Sequence, residues 1–281
     1  MPALTIRVAS PADRLLLAGL TSLRPVTDEL AGGVLLIGGL ATAAWAHASP
    51  AVLPVRATRD VDLGVDRRAL GLTSASRRIQ PLLEQHDFHR RPGDEGFRYR
   101  RETEAGEFLL DLLLPKGASR SDPPIIEPGL DSVAAPGLAY AITRGAAQLD
   151  LTLVTERGSH RFELPIATLD AMLVMKAGLL AEGTRNHPER RITDTVDAVV
   201  LAAACAHDPA TLRELANAPK RGEAARALNW LRSSFPTADA QAPRRVERHI
   251  AGEHGHRGGG DWATATVAAF LEALGSAGAD S

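Results

Sequence analysis

Over residues 1–165, short apolar runs and polar–apolar alternation predict strands with a few helices between them, whereas from Thr168 onward apolar residues recur at helical spacing. Ser10-Pro11-Ala12-Asp13 has the features of a helix start: a capping serine, proline at the first helical position and an acid in the first turn. It predicts a short helix over 11–22. Val34-Leu35-Leu36-Ile37 predicts a strand ending at Gly38-Gly39, with a helix from Leu40 after the turn. Residues 59–65 alternate, so one face packs inward and the other carries both Asp60 and Asp62. A helix over 74–86 follows, with Ile79, Leu82 and Leu83 at helical spacing. Strands are predicted at 88–91 and 97–101 around the turn 92–96, and at 108–114, a buried run interrupted by Asp111. Residues 117–138 read as a long surface connection, and 149–155 with 160–164 as a hairpin. Helices are predicted at 168–182, 192–206, 209–217, 221–234 and 262–274, the last after a glycine-rich break at 258–260. The expected organisation is an α/β core of mixed sheet flanked by helices over 1–165, and a helical region over 166–281.

A chain of 281 residues has room for two domains, each with its own core. With 44% hydrophobic and 23% charged residues and a formal charge of -2, it is neither a disordered tail nor a strongly basic nucleic-acid binder. Residues 31–55 lack Asp, Glu, Lys and Arg, and about 20 apolar residues can span a bilayer. Gly32, Gly33, Gly38, Gly39, Pro50, Pro54 and His47 interrupt that stretch, and no basic leader precedes it, so no membrane partner is expected. The single cysteine, Cys205, sits in an alanine- and valine-rich run and reads as a small buried hydrophobe. One thiol builds no disulfide framework, which makes the cytoplasm the expected compartment. Only three lysines stand against 29 arginines, so Lys176, inside the apolar helix over 168–182, stands out.

The chemistry concentrates at Gly38-Gly39, Asp60-Val61-Asp62 and Asp111. Aspartates at i and i+2 on a strand share a face, where their mutual repulsion is relieved by a hard divalent cation. Magnesium takes a few carboxylates with phosphate oxygens and water rather than a full protein cage. A third carboxylate from a neighbouring strand, Asp111, would complete a two-metal site for phosphoryl or nucleotidyl transfer. A Gly-Gly turn entering a helix lets backbone N–H groups approach phosphate oxygens.

These motifs resemble the nucleotidyltransferase superfamily, and within it the abortive-infection toxins of the AbiEii/AbiGii type. The resemblance rests on Leu35-Leu36-Ile37-Gly38-Gly39-Leu40-Ala41, Arg56-Ala57-Thr58-Arg59-Asp60-Val61-Asp62-Leu63, Phe108-Leu109-Leu110-Asp111-Leu112-Leu113, and Met175-Lys176-Ala177 followed by Asp194-Thr195-Val196-Asp197, over roughly residues 30 to 205. It implies a nucleotidyltransferase core in which Gly38, Gly39, Arg56 and Thr58 bind the nucleotide and Asp60, Asp62 and Asp111 hold Mg²⁺. It also implies that Lys176, Asp194 and Asp197 come from helices capping the cleft. Family members often carry Lys-Asp-x-x-Asp where this chain has Thr193-Asp194-Thr195-Val196-Asp197. The implied reaction moves NMP from an NTP to an acceptor hydroxyl of RNA, tRNA or protein, as in the toxin of a toxin–antitoxin pair with an antitoxin protein as partner. Lys176 is expected to act as a point charge on the triphosphate, in which case its removal leaves stability nearly unchanged because no ion pair is broken.

Two other readings stand beside this one: a small-molecule nucleotidyltransferase of the aminoglycoside-modifying sort, and a non-catalytic nucleotide- or partner-binding module. Segment 56–101 holds 11 arginines against seven acids, which suits either an RNA contact or a solvated surface. Glu253-His254-Gly255-His256 lacks a second ligand cluster, sits in an expected flexible loop and is not read as a zinc site.

Overall fold

The computed structural model describes the chain except for residues 1–2, 31–32, 52, 56–57, 59, 67–75, 95–96, 105, 116–132, 184–186, 255–257 and 280–281. It divides into two compact units, Met1–Ala48 with Val55–Thr168, and Ser49–Pro54 with Leu169–Ser281. The first carries the sheet and the second is helical.

The sheet unit contains eight strands: β1 (Ala3–Arg7), β2 (Val34–Ile37), β3 (Asp60–Val65), β4 (Arg98–Thr103), β5 (Gly106–Pro115), β6 (Val133–Ala135), β7 (Ala146–Thr155) and β8 (Gly158–Ala167). They form one mixed sheet in the order β1-β7-β8-β2-β3-β5-β4, with β6 added to β5. The pairs β1–β7, β2–β8, β3–β5 and β5–β6 are parallel, and β2–β3, β4–β5 and β7–β8 are antiparallel. Four helices belong to this unit: α1 (Pro11–Glu29), α2 (Gly38–Ala48), α3 (Ser76–Gln85) and α4 (Leu138–Arg144).

Strand alternation gives the central strands two unlike faces. Val61 and Leu63 of β3 lie in register with Leu110 and Leu112 of β5 on one face, which Val65 shares, and all five are buried together with Phe108. α1 and α2 cover that face so closely that a side chain at Gly19 of α1 would meet Leu40 of α2 and Phe108 of β5, each at 3.2 Å. The opposite face carries Asp60, Asp62 and Gly64 of β3 beside Leu109, Asp111 and Leu113 of β5. Leu138 of α4 reaches this second face at Gly64.

The helical unit comprises α5 (Leu169–Glu182), α6 (Pro188–Ala206), α7 (Pro209–Ala216), α8 (Glu223–Ser234), α9 (Gln241–His254) and α10 (Gly259–Ala279). α5 is buried almost all round and packs on α6, α7 and α8, as its unbroken apolar sequence requires. Cys205 of α6 is fully buried, and burial, followed by the charges of Asp170 and Asp208, pushes its thiol pKa well up. Among the described residues no helix is long and apolar enough to cross a membrane.

Several elements differ from the expectations. α1 continues through Pro25 to Glu29, because burial of Leu16, Leu20, Leu23 and Val26 along one stripe outweighs the lost proline hydrogen bond. Residues 88–91 form no strand and keep only the bridge between His89 and Arg100. β4 instead pairs antiparallel with β5, from Thr103–Gly106 back to Arg98–Asp111. β1, β6, α4 and α9 were not expected, and α9 replaces the anticipated loop before the glycines. Most of the long connection, residues 116–132, lies outside the described residues.

The start of α1 is closed reciprocally. The Asp13 backbone N–H donates to Ser10 Oγ at 3.1 Å, while the Asp13 carboxylate accepts from the Ser10 N–H at 2.8 Å. Ser10→Ala is expected to cost about 1 kcal/mol, read as a lower urea midpoint with an unchanged m-value.

Candidate functional site

Gly38 sits at the junction of β2 and α2 with φ +73°, in the left-handed region that glycine enters at no steric cost. A Cβ there would overlap the Asp62 carboxylate. The Gly-Gly turn and the second aspartate are therefore in direct contact, and the carboxylate occupies the space a side chain would fill. Gly39 and Leu40 are buried in the first turn of α2.

One row of registered residues crosses the sheet here, running Ile37 (β2), Asp62 (β3), Asp111 (β5), Arg98 (β4). Registered neighbours on adjacent strands point to the same side, with the strands about 4.8 Å apart. Asp62 and Asp111 are thus lateral neighbours on one face, and Asp60, two residues before Asp62, shares that face. Asp60 is exposed, Asp62 half-buried and Asp111 buried. Arg98 closes the row with a two-pronged ion pair, its Nε donating to Asp111 Oδ1 at 2.8 Å and Nη2 to Oδ2 at 2.6 Å. Its guanidinium also lies 5.7 Å from the Phe97 ring centre. Three carboxylates and one guanidinium leave these four side chains with two excess negative charges.

This geometry revises the expected three-acid metal centre. Among the described residues no three carboxylate, imidazole or thiol side chains are grouped closely enough to hold a metal ion. Asp60 and Asp62 keep the shared face that suits a divalent cation, whereas both oxygens of Asp111 face Arg98, whose charge opposes a second cation there. Arg98 is the residue that sequence reasoning missed. A turn at Glu104 would have found it, because a hairpin turning there places 98 opposite 111. Thr58 is buried just before β3, where its hydroxyl accepts from the Asp60 N–H at 3.2 Å and so anchors the start of the strand. Arg56 lies outside the described residues.

The helical unit brings together Lys176, Asp194 and Asp197. Lys176 Nζ on α5 lies 2.7 Å from Asp194 Oδ1 and 2.8 Å from Asp197 Oδ2 on α6, and all three residues are buried. The expectation that Lys176 breaks no ion pair is therefore wrong, since one ammonium bridges two carboxylates inside the helical core. The i, i+3 spacing of the two aspartates puts both on the face of α6 that meets α5.

The described arginines of segment 56–101 are largely engaged within the protein. Arg91 pairs with Glu102 and Glu107, and Arg100 pairs with Asp94 and Glu107. Arg101 donates to the Ser22 carbonyl and stacks on Phe88. The hydrogen bonds from Arg100 hold the Asp94 carboxyl down at about 2.

No protein-family model matches the chain, and no curated protein or solved structure matches it.

Three outcomes follow for substitutions. Gly38→Ala is expected to destabilise by about 1–2 kcal/mol from the left-handed backbone alone and to displace Asp62, checked by denaturant unfolding. Lys176→Met should cost about 3–5 kcal/mol in thermal melts, because it removes the ammonium that two buried carboxylates share. Lys176→Met combined with Asp194→Asn and Asp197→Asn should recover much of that loss in the same thermal melts.

Proposed function

We propose that the protein is a magnesium-dependent nucleotidyltransferase with the nucleotidyltransferase fold, moving NMP from an NTP to an acceptor hydroxyl. The reading is supported above all by the register that sets Asp62 beside Asp111, on the face of Asp60 and against the Gly38 turn. Asp60 and Asp62 would hold the magnesium ion, which when bound neutralises phosphate charge and polarises the α-phosphorus. Gly38 and Gly39 open α2, whose first N–H groups and positive dipole end suit phosphate oxygens. Asp111, fixed by Arg98, would accept a hydrogen bond from the acceptor hydroxyl and aim its oxygen at the α-phosphorus. That oxygen forms the new P–O bond as the bond to pyrophosphate breaks, and the hydroxyl proton passes by way of Asp111 to solvent. The chain contributes chiefly position and charge complementarity.

Lys176 is already matched by Asp194 and Asp197, so the reading draws mainly on the sheet unit. The resemblance to AbiEii/AbiGii-type toxins favours an RNA or tRNA acceptor, or a protein hydroxyl, and an antitoxin protein as partner. An NTP-consuming reaction of this kind fits the expected cytoplasmic location. One observation favours a second reading, a nucleotide-binding module without transfer: Asp111 has both oxygens satisfied by Arg98.

The test is incorporation from α-labelled NTPs into total tRNA, an aminoglycoside panel and the protein itself, with Asp60→Ala and Asp62→Ala alongside. Transfer by the parent and a fall on the order of 10²–10³-fold in both variants support the proposal. Nucleotide and Mg²⁺ together should also raise the melting temperature more than either alone. Such stabilisation without incorporation supports the second reading, and the absence of both removes the proposal.

A further inference from the structure

Charge in the helical unit is distributed unevenly. α9 buries Ala242 and Val246, and turns Arg244, Arg245 and Arg248 toward a pocket that Arg191 of α6 also lines. The pocket has a volume of about 480 Å³. The i, i+3 and i, i+4 spacing of the three α9 arginines gathers them on one side of that helix. The carboxylate in the lining is Asp239, which lies 3.7 Å from Arg244 in a largely exposed pair. Four guanidiniums against one carboxylate give the pocket three excess positive charges.

The nearby acid does not redress this. Glu247, on the same helix, accepts from the N–H groups of Gly258 at 3.2 Å and Gly260 at 2.9 Å, where α10 begins. Among the described residues no carboxylate pairs with Arg191, Arg245 or Arg248, in contrast with Arg91, Arg98, Arg100 and Arg161, each of which does face an acid. Arg245 is half-buried, and burial, followed by repulsion from Arg191 and Arg248, pulls its pKa down. Arg191 Nε is buried without a hydrogen-bond partner. An arginine-rich helix face spread toward solvent would show none of this. Like charges gathered in a concavity with a buried donor left over are costly unless an anion completes them.

We propose that this pocket binds a compact phosphate-class anion: inorganic phosphate, pyrophosphate or a phosphate monoester. Guanidinium forks match phosphate oxygens two at a time, which favours phosphate over a carboxylate of lower charge. A recess between two helices, rather than an open ridge, fits one compact anion better than the backbone of an extended strand. The inference is independent of the activity proposed for the sheet unit, and its site lies wholly within the helical unit.

The experiment is calorimetric titration of the full chain with sodium pyrophosphate in EDTA, at ionic strength matched with sodium chloride, for the parent, Arg248→Ala, Arg244→Ala, Arg245→Met and Asp60→Ala. The parent and Asp60→Ala should bind alike, and Arg248→Ala should bind about 10-fold more weakly, the worth of a charge-assisted hydrogen bond. Arg245→Met should weaken binding further. If Arg245→Met fails to fold, the exposed positions 244 and 248 carry the comparison. Absence of binding above the chloride control overturns the proposal, as does equal affinity across the arginine variants or loss confined to Asp60→Ala. Tighter binding of a short oligonucleotide than of pyrophosphate, lost in the same arginine variants, overturns it in favour of a nucleic-acid contact.

Discussion

The sheet unit depends on a steric bargain between a turn and a carboxylate. Asp62 fills the volume beside Gly38 that any other residue's β-carbon would need. The left-handed turn that ends β2 and starts α2 is therefore unstrained only while position 38 is glycine, and the carboxylate keeps its place only while the turn keeps its shape. The faces of β3 then follow: the apolar set must lie under α1 and α2, which leaves the acids on the opposite face beside Asp111. A slip of one residue between β3 and β5 would bury Asp62 and expose Leu63, so the hydrophobic pattern fixes the pairing of the acids as firmly as it fixes the core.

Carboxylates set side by side repel, and the two units relieve this in different ways. In the sheet, Arg98 takes both oxygens of Asp111, in a row whose neighbour Asp60 is exposed. In the helical core, Lys176 bridges both Asp194 and Asp197 and seals the cluster from water. The first arrangement keeps carboxylates close to a surface. The second sets one ammonium between two carboxylates inside the core, where it offsets half of their charge.

Much of this was legible in the sequence where the signal is local. The β2–glycine–α2 unit, the alternation of β3 and the acid within β5 each declare themselves within a dozen residues, and together they place Asp60, Asp62 and Asp111 on neighbouring strands. The Arg98 partnership was hidden because it depends on a second reversal: the chain does turn at Pro92–Gly93, the stronger local signal, but it reverses again at Glu104, and that turn pairs β4 with β5. β1 was invisible for a related reason, since the strand it pairs with among the described residues, β7, is far along the chain. α9 did carry a helical stripe in Ala242, Val246 and Ile250, four residues apart, but five arginines, histidines and glutamates around it lowered its apparent hydrophobicity. Lys176 was read as a lone charge because the i, i+3 aspartates that hold it lie on the next helix, and helix–helix apposition is not a sequence-local property.

The burial of Cys205 reaches beyond packing. Its thiolate is suppressed by the apolar interior and by Asp170 and Asp208, so it is a poor nucleophile toward maleimides and iodoacetamides. The chain has no other thiol. It is in effect already a cysteine-free scaffold for labelling. A pair of engineered surface cysteines, one in each unit, would carry fluorophores or spin labels without background, and the distance between the sheet and helical units could then be followed spectroscopically as nucleotide and metal are added.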